Sequence, residues 1–60
     1  MFVKGDFVVE RAGWRAPASF GVVTEVDEGD VLTVRYPEGT FYSFASHCQH
    51  YKDWLREQGF

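Results

Sequence analysis

The densest cluster of reactive side chains is "HCQH", which places His47, Cys48 and His50 within four residues. Such a cluster raises two chemistries, metal ligation and thiol catalysis. Structural zinc takes four ligands, commonly as two separated pairs of Cys or His. The chain has one cysteine and two histidines in all, so no second pair exists and no metal site is expected. A thiol nucleophile needs a base aimed at its sulfur and a third group to orient that base. Cys48 falls on an apolar stripe at helical spacing, where burial raises a thiol's pKa and hides it. It reads as a small buried hydrophobe, with His47 and His50 on the helix surface. The nine acids are scattered over turns and strands, and the six glycines form no phosphate loop. The expectation is a protein with no catalytic residues and no cofactor.

The second chemistry on offer is contact by aromatic rings. "VLTVRYPEGTFYSF", residues 31–44, carries Tyr36, Phe41, Tyr42 and Phe44, and Trp14 stands apart beside Arg15. Along a strand, side chains alternate between faces, so Phe41 and Ser43 share one side and Tyr42 and Phe44 the other. One pair belongs inside. In one reading Tyr36 and Phe44 fill the core while Phe41 and Tyr42 divide between core and surface. In the other, Trp14, Arg15, Tyr36, Phe41 and Tyr42 are the candidates for a surface that holds a partner, with Trp14 and the outward one of Phe41 and Tyr42 foremost. A loop tryptophan either folds over its own domain or anchors an interface, and both uses stay open for Trp14.

Length and charge bound these choices. Sixty residues make one domain, residues 1–60, and a chain this short buries only about 60% of its unfolded surface. With a single cysteine it cannot staple itself, so apolar content, 45% hydrophobic and 18% aromatic, must supply stability. No run of apolar residues is long enough to cross a membrane as a helix. Residues 1–20 lack a charged start followed by an apolar stretch. With one unpaired cysteine, that leads to the expectation of a reducing cytoplasm. Met1 favours a complete small protein. The net charge of −3 and pI near 5.1 weigh against nucleic acid, whose phosphates call for clustered Lys and Arg. Here the six basic residues are scattered.

The elements that must position the rings follow from turns and periods. "GDFVVER" opens on a Gly-Asp turn and predicts a strand from Phe7 to Arg11. "AGWRAPAS" is a loop, because Pro17 cannot donate to a ladder. "FGVVTEVD" predicts a second strand. Val23 and Val26, three apart, imply a bulge or sharp bend between them. "DEGD" is a hairpin turn, "VLTVRY" the third strand, and "PEG" a turn in which Gly39 completes a bulged hairpin. "TFYSFA" is the fourth strand, and a short fifth comes from residues 1–4 or from near Ala45. Cys48, Tyr51 and Leu55, with Trp54 beside them, then shift to helical spacing. Ser46 and Gln49 form a capping-box pattern and Gly59 a C-cap. The helix is expected over about 47–58 and the strands within 3–45.

These stretches bear family resemblances. "GDFVV", the "GVVTEVD" strand with Gly21, Val23 and Val26, and "LTVRYPEG" resemble the SH3-like small barrels of Tudor and KOW type. The "VRYPEGTFYSF" hairpin is similar to the repeats of Mind bomb-type ubiquitin ligases. "GVVTEVD" with "VRY" also resembles the small peripheral subunit of photosystem I. The likeness covers residues 5–45; the segment "HCQHYKDWLREQGF" has no close counterpart in them. It implies a mainly β fold, a partly open five-stranded SH3-like barrel with a C-terminal α-helix. The Tudor likeness implies a cage for methylated cations from Trp14, Tyr36, Phe41 and Tyr42, with Glu38 or Asp30 helping. The KOW likeness implies phosphate contacts by Arg11, Arg15 and Arg35. The photosystem likeness implies a subunit that completes a larger enzyme. Weighed together, the expectation is a non-catalytic protein-interaction module that docks on a larger protein. Its oligomeric state stays open.

Overall fold

The computed structural model describes residues 1–11 and 19–59. Trp14 and Arg15 therefore lie outside the described residues. Five antiparallel strands form one sheet: β1 (Phe7–Glu10), β2 (Ser19–Val26), β3 (Val31–Tyr36), β4 (Gly39–Phe44) and β5 (Cys48–His50). A 3-10 turn, Ala45–His47, links β4 to β5, and helix α1 (Tyr51–Glu57) follows. The spatial order is β4-β3-β2-β1-β5, so β4 and β5 are the two edges and the curled sheet is partly open between them.

Turn chemistry explains the first four strands. Gly29 closes the β2–β3 turn at φ 69°, a conformation that glycine adopts without steric penalty. The expected irregularity in β2 is present: the register with β3 shifts between Val23 and Glu25. The slip returns Val26 to the face of Leu32, its partner. The β3–β4 hairpin differs from expectation. Its register runs unbroken from Val31↔Phe44 to Tyr36↔Gly39, so no bulge forms at Gly39. Pro37 and Glu38 alone make the turn.

The largest correction lies at the C-terminal end. The helix begins four residues later than the apolar spacing implied, and Cys48–His50 is a strand that pairs with β1 through Val8↔His50, Val9↔Gln49 and Glu10↔Cys48. It therefore falls beyond the 3–45 range, and residues 1–4 form no strand. Backbone pairing with β1 overrode a capping pattern worth about 1 kcal/mol. The helix instead starts after N-cap His50 with no side-chain cap. At its other end Gly59 donates its N–H to the Arg56 carbonyl at 3.1 Å, as a residue just past a C-cap does.

Directly paired residues share a face of the sheet, which defines two layers. The inner layer is the core, made of Val8, Val23, Leu32, Val34 and Tyr36 with Phe2, Ala45 and Cys48 packed against it. Gly21 makes that packing possible, since a Cβ there would lie 2.6 Å from Val34 Cγ1 and 2.9 Å from the Arg35 carbonyl oxygen. The outer layer is where α1 lies, packed on β1 and β5. Phe20 meets Trp54 edge-on at 5.1 Å and Tyr51 at 5.9 Å. Val9, paired with Phe20 and fully buried, sits in this layer.

Candidate interaction surface

Strand alternation decides where each ring of the β3–β4 hairpin goes. Tyr36 faces inward and is buried. Its hydroxyl shares a hydrogen bond of 2.8 Å with Ser43 Oγ, which is also buried. Tyr36 therefore packs the core and is only 4% exposed. Phe41 shares the inner side with Ser43, at the end of the core, with its ring 6.2 Å from that of Tyr36. It remains 45% exposed. Tyr42 points outward and is 78% exposed. Phe44 points outward as well, against the reading that it fills the core with Tyr36, and it meets His47 edge-on at 5.5 Å. Because Tyr42 leaves the sheet on the side opposite Tyr36 and Phe41, these three rings do not converge on one cation.

The "HCQH" side chains separate in the same way. Within β5, Cys48 and His50 share the inner side and Gln49 faces α1. Burial, with Glu10 and Asp30 nearby, pushes the Cys48 thiol up to about 11, so it stays protonated at neutral pH and is a poor nucleophile. His50 stacks on Phe2 at 4.4 Å and donates from Nε2 to Asp6 Oδ2 at 3.1 Å. The Val3 N–H, donating to the same oxygen at 2.9 Å, with His50 in support, holds the Asp6 carboxyl below its ordinary value. This cluster fastens the N-terminal turn to β5. Among the described residues no three His, Cys, Asp or Glu side chains come together as a metal site would require.

A broad concavity lies elsewhere. It is an open groove of about 590 Å³ lined by Phe7, Phe20, Val22, Arg35, Pro37 and Tyr51 over the buried Val8, Gly21 and Tyr36. Register builds it: Phe7↔Val22 and Val22↔Arg35 align three residues across β1, β2 and β3 on the outer layer. Tyr51, first residue of α1, forms one wall. Phe7 is 66% exposed, although it lies next to two fully buried valines. Comparison with protein-family models, curated proteins and solved structures finds no match. The surface is thus defined by its own residues.

The groove was missed in the sequence because its parts are far apart along the chain. Phe7 and Phe20 each read as ordinary strand residues, and Tyr51 as part of the helix stripe. One signal was available. Phe7 has the opposite alternation phase from Val8, so an outward β1 ring was implied as soon as Val8 was placed inside.

Proposed function

We propose that this chain is a non-catalytic protein-interaction module, a small barrel of the SH3-like kind that docks on a larger protein in the cytoplasm. The observation that supports this most is the aromatic content of the outer layer. Phe7, Phe20, Tyr42, Phe44 and Tyr51 all stand exposed there. Phe7, Phe20 and Tyr51 share one groove; apolar surface gathered in that way marks contact sites on small proteins, and aromatic anchors dominate such contacts. The groove rings and the hairpin ring Tyr42 take the role first expected of Tyr36 and Phe41.

The test is affinity capture from a native lysate with wild type, Phe7→Ser and Tyr42→Ser, each confirmed as folded by circular dichroism. Loss of the captured partners in one or both variants is expected. Recovery of the same partners at the same yield by both would overturn the reading. The nucleic-acid alternative, for which Arg11 and Arg35 stand exposed, predicts binding of oligonucleotides at low salt, where phosphate contacts are strongest. The net charge of −3 opposes it.

A further inference from the structure

Among the described residues Arg35 is the one charged residue lining the groove, and none of them is acidic. The ion pairs among the described residues are His50 with Asp6 and Arg56 with Asp53, so no described carboxylate lies within ion-pair distance of the Arg35 guanidinium. The chain as a whole is acidic, yet this groove presents, among its described residues, a lone cation between rings and a proline. A ligand that covered this groove with apolar groups alone would strip water from the guanidinium and give nothing back, which is costly. A ligand that brings one carboxylate regains a charge-assisted, two-pronged hydrogen bond. Apolar walls strengthen that attraction by lowering the local dielectric.

We infer that the groove takes an extended segment of a partner protein in which one Asp or Glu side chain is flanked by apolar side chains. Its carboxylate pairs with Arg35 and its neighbours rest on Phe7, Phe20 and Tyr51. The inference rests on the docking function proposed above. A single cation in the described part of the groove, on a molecule of net charge −3, suits one carboxylate better than a run of acids or phosphates, which the net charge repels. The groove's openness suits a protein segment better than a small acid, since small-molecule sites enclose most of their ligand.

The probe is a displayed library of random decapeptides, selected on immobilised wild type, Arg35→Gln and Arg35→Glu. Arg35 is exposed and outside the core, so these variants keep the fold. Wild type is expected to enrich peptides with one acid between apolar residues. Arg35→Gln should lose that preference, and Arg35→Glu should enrich Lys or Arg in its place. For one enriched peptide measured by fluorescence polarisation, Glu→Gln in the peptide and Arg35→Gln in the protein should each weaken binding roughly 10- to 100-fold. Together they should weaken it little further, because both remove one contact.

Enrichment indifferent to acids, or no enrichment, overturns the inference. So does Arg35-dependent binding of laurate without binding of any peptide, which would assign the groove to a small apolar acid. The two proposals fail separately. If Phe7→Ser loses lysate partners while Arg35→Gln retains them, docking stands and the carboxylate contact falls. If every variant retains them, docking itself falls.

Discussion

The inner and outer faces of this one sheet are built from different materials. Inside, Val8, Val23, Leu32 and Val34 are each at most 2% exposed, and the Tyr36 and Ser43 hydroxyls satisfy one another. Outside, Phe20 meets Tyr51 and Trp54 of α1 edge-on and those two rings stack, on a helix that has no fully buried residue. Phe7 and Tyr42 extend past its cover. Branched aliphatic chains fill a small closed volume to crystal-like density. Rings supply wide amphipathic faces that a second molecule can finish covering. A chain of this length closes only one large dry core, so most of the stability resides on one face; the other buries Val9 and is left with surface to spare.

The sharpest way to break this contrast is to hollow the inner face. Leu32→Ala should cost about 3 kcal/mol, which for a domain of this size lowers Tm by roughly 12–24 °C. A thermal melt showing a change of only a few degrees would place the stability elsewhere. Gly21→Ala comes next, at about 2 kcal/mol by overpacking. Its new methyl would press on the Arg35 backbone oxygen, which cannot swing aside as a side-chain tip can. Urea midpoints of wild type and variant would measure it, and an unchanged midpoint would refute the close approach.

On the outer face, Trp54→Ala removes a half-buried ring and should cost about 1 kcal/mol. If the same urea titration gave a larger loss than Leu32→Ala, the two faces would have exchanged roles. The smallest effect lies where the faces meet, at Asp6. Its folded-state carboxyl titrates below the ordinary 3.8, so the stability it adds is complete above that value. That stability is lost as pH falls through the lower folded value. Wild type should thus weaken more steeply on acidification than Asp6→Asn, and parallel stability–pH curves would remove Asp6 from the account.

How much of this was legible depended on whether the deciding contact was local. β1 to β4 were readable because alternation, Gly29 and Pro37 act within a few residues. The slip after Val23 was readable from valines three apart. Which of Phe41 and Tyr42 faces outward stayed open, because alternation in β3 does not fix the phase of β4; the unbulged register Val34↔Phe41 and Thr33↔Tyr42 does. The segment from Ser46 to His50 misled because Ser46 and Gln49 mimic a helix start and Cys48 fits a helical stripe. A three-residue strand has too little sequence to show a period of two. What makes it a strand is hydrogen bonding to β1, some forty residues earlier. The groove was hidden for the same reason, since its walls come from β1, β2, β3 and α1. Arg35 was noticed only as a cation, because its isolation from carboxylates is a property of three dimensions.

The short β5 has a consequence for motion. It joins the sheet through three residue pairs to β1, and α1 hangs from its end, packed on β1 and β5. The backbone pairing of β2, β3 and β4 with one another involves neither element; β2 meets α1 only through Phe20 among the ring contacts of the described residues. Strand and helix can then lift together as one cooperative unit while the remaining four strands stay closed, since local opening follows sparse burial. Amide deuterium uptake would trace this as a seam along the β1–β5 ladder, fast from Cys48 through Glu57 and slow at Val23 and Val34. Each such opening would strip the groove of its Tyr51 wall, so a ligand held there would slow exchange in residues it never touches.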